Sequence, residues 1–448
     1  MSHHQRLTEE YLAGHAAATD ARQVGEAVRD SVGATSYRVR SLTRPVFLGY
    51  HEHQQLSADL VNIQNAVAAI PNRLFDGDLA LFADAVGMNE IQADAVLRSH
   101  RDSPIRLSRA DLCLTPTGFR LIELTMGSTM ADFDNCFLNE SMLEQPYVAE
   151  FVRRHRLGYI DSVAELAHTI LVECKVPTGT RPVLALADWP ESFRTLEPQL
   201  HKSAELLARH GLEPLVCHLG QLRFADGAVW LGERKIDIIY RLFTMPDLLR
   251  PDGPGLVDPV LSAVQRGDVQ IFAPMETYLY GSTGALAILA DESYRHRLTG
   301  AERISVDRLL PWTRMVRPGP VTVAGRRIDL LAYAIARRSD LVLKPTLMSD
   351  GRGVLAGWLT EPDEWLQQVE AAMDGPYVLQ QRVNPNVELF PGEHGLEPWT
   401  LIWAQFTMAR GAAGTWIRAV PGDQPNLVTM AQGATATCCF VGRSPGFG

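Results

Sequence analysis

Apolar residues recur at three- and four-residue spacing over 56–69 and again over 79–97, so the first hundred residues read as mainly helical. From Ser108 the period changes. The stretch SRADLCLTPTGFRLIELT, residues 108–125, alternates as two strands joined by a tight Pro116-Thr117-Gly118 turn. A three-residue loop of that composition places Pro at the first central position of a type I turn and Gly in the left-handed region, which sets the register. Thr115 then pairs with Phe119, Cys113 with Leu121 and Asp111 with Glu123, the last two with Cβ atoms roughly 5 Å apart on one sheet face. Residues 127–134 form a small polar loop before more helix.

Beyond Arg181 strands and helices alternate. A strand at 183–187, an amphipathic helix at 191–211 and a strand at 214–218 come first. A short hairpin and a strand at 235–242 follow, giving a small doubly wound α/β unit. No G-x-G-x-x-G opens its first turn, which excludes the usual dinucleotide fingerprint. Further on, an apolar strand ends at Lys344-Pro345, a polar loop holds Ser349, Gly351, Arg352 and Gly353, and a strand returns over 354–358. A helix over 361–373 leads to a strand ending in Gln380-Gln381, and three strands follow from Pro398, the second carrying Arg418 and the third covering 427–440. This pattern divides the chain into a helical cap (1–108), a hairpin with its following helix (109–165), the doubly wound unit (166–294), a lysine and glycine-loop region (295–385) and C-terminal strands (386–448).

Composition narrows the function classes. At 448 residues and 46% hydrophobic content the chain is an ordinary globular protein with room for two or three domains. A formal net charge of −10 opposes a nucleic-acid footprint, which needs a basic face. No apolar run approaches the ~20 residues that span a bilayer, and the polar start of the chain is unlike a secretory signal, so a cytoplasmic protein is expected. Six cysteines without C-x-x-C spacing are expected to be free core thiols. Only four lysines occur, so one ending a buried strand, Lys344, stands out.

Two carboxylates facing each other repel unless a cation or a shared proton offsets them, and with Thr125 beside them they suit Mg²⁺ bridging phosphates. The plainer alternative is a solvated hairpin edge. A lysine at the end of a buried strand needs an anion, and a loop with two glycines brings backbone N–H groups to phosphates; together they form a candidate phosphate clamp that is not a Walker A sequence. Here the plainer alternative is a surface lysine capping a strand.

The order strand, Lys344-Pro345, glycine loop, strand, helix, strand, Gln380-Gln381, with a carboxylate hairpin and a late arginine strand, resembles the ATP-grasp ligases. Because Asp111 and Glu123 precede Lys344 by more than two hundred residues, the resemblance is to the circularly permuted branch that includes glutathionylspermidine synthetase. Arg109-Ala-Asp111 and Glu123-Leu-Thr125 match its hairpin motif, with Thr125 where the family has Asn. Ile239-Tyr-Arg241 and Leu309-Leu-Pro-Trp-Thr313 are similar to its other landmarks. The family's earlier phosphate-contacting lysine is missing near Asp291; Arg295 and Arg297 are the nearby substitutes.

The resemblance implies an α/β, circularly permuted ATP-grasp fold in which two sheets clamp ATP. It implies a carboxylate–amine ligase working through an acyl phosphate, on an amino acid, short peptide or similar metabolite. Lys344, Ser349, Gly351, Arg352, Gly353, Gln380 and Gln381 would meet ATP, and Asp111, Glu123 and Thr125 would hold Mg²⁺. Arg109 and Arg418 would steady the transferred phosphoryl group. His51, His53, Asp132 and Asp134 are candidates on the substrate side. Replacing Asp111 or Glu123 is expected to cost activity and little stability, since it relieves repulsion. A phosphotransferase that stops at a phosphorylated product and a nucleotide-binding protein without catalysis are the rival readings.

Overall fold

The computed structural model describes residues 2–18, 41–101, 106–128, 131–348, 351–392, 395–422 and 434–444. The hairpin forms, but one residue out of the expected register at its tip. Ser108–Thr115 and Gly118–Met126 pair with Thr115 opposite Gly118 and Cys113 opposite Arg120, so the loop is the two residues Pro116 and Thr117. Gly118 opens the second strand instead of closing the loop. A bulge between Asp111 and Leu112 absorbs the offset: Ile122 is the extra residue, and Asp111 still faces Glu123.

This hairpin is one edge of an eight-stranded sheet. Its path runs Val46–Leu48, Thr435–Gly442, Gly411–Pro421, Gly395–Met408, Ser108–Thr115 and Gly118–Met126. Val387–Gly392 pairs with Gly395–Met408, and Leu157–Gly158 pairs with Thr435–Gly442. The first hundred residues thus supply a strand as well as helices, since Val46–Leu48 lies parallel to Thr435–Gly442. Period-two alternation divides the two faces. Ala404, Phe406, Trp416 and Cys438 pack toward the helices Ala131–Leu143 and Ser162–Glu173, and Leu112, Trp403, Ile417 and Cys439 toward the helix Tyr50–Ala68.

The second sheet is parallel, in the order Gln270–Phe272, Ile238–Arg241, Val183–Asp188, Glu213–His218. Leu184, Ala185, Leu186 and Ala187 are all fully buried, as expected of a strand covered on both faces. The single strand expected over 235–242 divides at Asp237, whose carboxylate accepts the Val183 N–H. Arg234–Ile236 completes a three-stranded antiparallel sheet, and Ile238–Arg241 enters the parallel one.

The third sheet is antiparallel: Thr313–Met315, Tyr377–Gln381, Leu341–Pro345, Leu355–Ala356. The returning strand expected over 354–358 shortens to Leu355–Ala356 and continues as a 3-10 turn, Gly357–Leu359. Leu341, Leu343 and Leu379 pack with Trp365 and Val369 of the helix Pro362–Ala372 as a separate small core. The helix expected over 79–97 is two helices, Leu79–Ala85 and Glu90–Arg98, the second closed by a reciprocal Asn89 and Gln92 capping box. Gly87 at the break has φ of +85°, and a Cβ there would lie 2.3 Å from Pro376, so the helical region seats directly against the third sheet. Among the described residues no helix is long and apolar enough to cross a membrane.

A buried polar network ties the N-terminal helix His3–Ala18 to the large sheet. His4 Nε2 lies 2.5 Å from Glu388 Oε1, its Nδ1 lies 2.6 Å from the Phe47 carbonyl, and Arg44 donates to the other Glu388 oxygen at 2.9 Å. Burial lowers the His4 pKa, but the hydrogen bond and charge of Glu388 outweigh it and hold His4 above its ordinary 6.5. Burial raises Glu388, yet His4 and then Arg44 hold it down to about 2, from an ordinary 4.5. His4 therefore contributes stability below its unfolded pKa that is lost as pH rises through the folded one, and Glu388 contributes stability above 4.5 that is lost as pH falls toward about 2. The network is worth most between about pH 4.5 and 6.5. Glu388→Gln should cost about 3–5 kcal/mol in urea denaturation at pH 6 and clearly less at pH 3. Equal costs at both would show that ionisation of Glu388 is not what holds the helix.

Candidate functional site

On one face of the hairpin, Arg109 stands opposite Thr125 and Asp111 opposite Glu123. The neighbouring strand presents only Ala404 opposite Asp111, and that small residue leaves room for Arg418 to reach across from the strand beyond. Arg109 Nε donates to Asp111 Oδ1 at 2.9 Å and its Nη2 to Oδ2 at 3.2 Å, while Arg418 Nη2 makes a short contact to the same Oδ2. The two carboxylates consequently differ. Burial pushes Asp111 up, but the Arg109 and Arg418 guanidiniums outweigh it and hold the carboxyl below its usual range. Burial and then the charge of Asp111 push Glu123 up, and the more distant cations only partly offset them. Thr125 offers its hydroxyl to Glu123 Oε1 at 3.4 Å.

The third sheet delivers the lysine. Thr313, Gln380 and Val342 stand in one row, and Lys344, two residues beyond Val342, shares their face. Lys344 Nζ donates to Gln380 Oε1 at 2.7 Å and to the Ile122 carbonyl at 3.0 Å, and Gln380 Nε2 donates to Thr313 Oγ1 at 3.2 Å. Ile122 is the bulge residue, unpaired with the opposite strand, so its carbonyl is open to a side-chain donor. Burial lowers the Lys344 pKa, with partial compensation from Glu123.

Seven of the expected site residues thus converge: Arg109, Asp111, Glu123, Thr125, Arg418, Lys344 and Gln380. Gln381 does not join them, because alternation turns it to the opposite face, where it is exposed. Gly351 and Gly353 have φ of +74° and +69°, the left-handed turn that glycine permits, while Arg352 between them is exposed. Ser349 lies outside the described residues, as does the side chain of Asp132. His51 is exposed, His53 is a buried helix residue whose pKa burial lowers, and Asp134 is buried. Arg295 pairs with Asp307 on the surface and Arg297 donates to the Arg73 carbonyl at 2.8 Å, so the structure brings neither of these expected lysine substitutes into the cluster. Residue patterning did not reveal Thr313, although it lies in a motif already singled out, nor the Ile122 carbonyl, which depends on a bulge.

The donor set is informative about what the site can hold. Among the described residues no group of three or more His, Cys, Asp or Glu side chains could hold a metal. Two carboxylates suit Mg²⁺ where phosphates complete its shell. Arg418 Nε is a buried donor without an acceptor, which fits an oxyanion. These residues fit a metal that arrives with a polyphosphate. All six cysteines are free and buried; burial pushes Cys113, on the site face, up to about 12, which keeps its thiol protonated.

The asymmetry of the pair corrects the expectation that either carboxylate could be replaced at little cost. Asp111→Asn leaves two guanidiniums without their counter-ion and should lower unfolding free energy by about 3 kcal/mol or more. Glu123→Gln, isosteric and relieved of repulsion, should change it by less than about 1 kcal/mol. Urea denaturation of the two variants side by side decides the matter, and equal losses would contradict the charge assignment.

No protein-family profile matches the sequence, and no curated protein matches it significantly. Solved structures do. A glutathione synthetase-like effector from Globodera pallida, in its apo form, superposes with a TM-score of 0.59 at 8% identity, covering 95% of this chain and 98% of that one. A Methylobacillus flagellatus KT protein proposed to be a gamma-glutamylcysteine synthetase gives 0.45 at 12% identity, over 86% and 88% of the two chains. D-alanyl-alanine synthetase A from Vibrio cholerae O1 gives 0.25 at 11%, over 50% and 68%. At such identities the first likeness speaks to fold alone, and the fold is the mixed α/β, ATP-grasp-like arrangement expected from the sequence.

Proposed function

We propose that the chain is an ATP-dependent ligase joining a carboxylic acid to an amine, built as a circularly permuted ATP-grasp enzyme. One observation carries the reading: the strand end bearing Lys344 docks onto the bulge of the hairpin bearing Asp111 and Glu123, so a cation from one sheet and two carboxylates from another line one site. The chain order, with the carboxylate strands long before the lysine strand, supports the permuted arrangement. The fold likeness to a glutathione synthetase-like effector supports it.

In this reading Lys344 and the glycine loop hold the phosphates of ATP, and Gln380 fixes the lysine by accepting a hydrogen bond from its ammonium. Asp111 and Glu123 would hold Mg²⁺, which would supply positive charge to offset that of the phosphates. Arg109 and Arg418 exchange Asp111 for the phosphoryl oxygens. The acid's carboxylate oxygen takes the γ-phosphoryl group, releasing ADP; the amine nitrogen then attacks the acyl carbon, releasing inorganic phosphate and a proton. The acid and amine are of the size of an amino acid, a short peptide or a related metabolite.

A second reading, nucleotide binding without catalysis, is favoured by the clamp of two guanidiniums on Asp111 and by Thr125 in place of Asn. ADP release from Mg-ATP, measured with pooled acids and amines, separates the two. ADP that requires both an acid and an amine supports the ligase, with Lys344→Ala and Glu123→Gln each lowering turnover at least about a hundredfold. ATP binding with no ADP from any pool would move the binding role ahead. Because Glu123 has a raised pKa and must ionise to hold a metal, Mg-ATP affinity should strengthen as pH rises through that value, and Glu123→Gln should flatten the dependence.

A further inference from the structure

We propose that the cavity beside the edge strand Thr313–Met315 is a second binding site, separate from the Lys344 cleft, for an organic anion: a carboxylate or phosphate group on a small apolar body. The cavity measures about 340 Å³ and is lined by Arg297, Arg314, Arg317 and Asp291, three guanidiniums against one carboxylate. Arg314 is the built element. It is only 4% exposed, and its close partners are carbonyls: Nη1 donates to Ala290 at 2.7 Å and to Thr313 at 2.9 Å, and Nη2 to Thr322 at 3.4 Å.

The carboxylates near Arg314 stand off, with Asp291 at 3.7 Å from Nε and Glu292 at 4.0 Å from Nη2. Arg314 thus has carbonyl acceptors and two long ion pairs, and an anion in the cavity would add a charged partner at hydrogen-bond distance. Arg297 and Arg317 are exposed at the rim; Arg297 donates to the Arg73 carbonyl at 2.8 Å and to His296 Nε2 at 3.0 Å, and Arg317 to the Gly375 carbonyl at 3.4 Å, so each would approach the anion with its remaining N–H groups. Leu74, Ile288 and Val321 line the remainder, which calls for an apolar body behind the charge.

The site is distinct from the carboxylate and lysine cluster. Thr313 turns its hydroxyl to Gln380 on the Lys344 face, whereas Arg314, next along the strand, turns to the cavity, and none of Lys344, Gln380, Asp111 or Glu123 lines it. The proposal therefore stands or falls independently of the ligase reading.

Isothermal titration with phenyl phosphate and, separately, benzoate tests it. The expected result is binding of at least one probe, weakened about tenfold or more by Arg297→Ala and by Arg317→Ala, and unchanged in Lys344→Ala or in the presence of saturating ADP. Both arginines are exposed, so these variants should keep the fold, which their urea denaturation midpoints check. The stronger probe identifies the phosphate or carboxylate class. Failure of both probes at millimolar concentration, indifference to the two arginine variants, or loss of binding with Lys344→Ala or ADP would each overturn the proposal, the last by showing the cavity to be part of the nucleotide cleft.

Discussion

The arrangement of the site depends on one hydrogen bond between sheets, from the Lys344 ammonium to the carbonyl of Ile122. A lysine buried at a strand end is unfavourable without acceptors, and a bulge is unfavourable without a partner for the carbonyl it frees. Each defect answers the other. The bulge also restores the register that brings Asp111 opposite Glu123, so one inserted residue both pairs the carboxylates and supplies the acceptor that holds a cation beside them.

Charge balance then decides what the cluster does. Arg109, Arg418 and Lys344 face Asp111, ionised, and Glu123, whose raised pKa marks it as the carboxylate that gives up its charge first. The surplus is positive. Such a site waits for an anion, and a polyphosphate carrying its own Mg²⁺ would let the guanidiniums leave Asp111 without abandoning a bare carboxylate. The exchange replaces each ion pair by another, which keeps the cost of binding low even though every partner is buried or nearly so.

Much of this was legible in the sequence because it depends on local chemistry. Alternation over 108–125 predicts the two strands, and Asp111 and Glu123 lie on one face whether the turn has three residues or two, because the bulge compensates. The strand ending at Lys344 and the long buried run from Leu184 to Ala187 are read the same way. What escaped depends on contacts distant in sequence. The reach of Arg418 to Asp111 requires a small residue at 404, three hundred positions away, and nothing local marks Ala404 for that purpose. The side of the strand on which Gln381 lies follows only once the pairing with Leu341 is known. The division of the strand at Asp237 needs the parallel neighbour Val183 to accept and donate there.

The same dependence explains why the two carboxylates, alike in sequence, have separate roles. Position 111 is the crossing point of two arginines from different strands, and position 123 lies at the sheet edge nearest the lysine. Asp111 is therefore fixed by the fold before any ligand arrives, while Glu123 accepts from the Thr125 hydroxyl at 3.4 Å and feels the charge of a lysine already bonded elsewhere. A site with one fixed and one adjustable carboxylate can admit a cation without first breaking its framework. Glu123 is the residue whose ionisation would couple metal binding to pH, because burial and then repulsion from Asp111 hold its proton on.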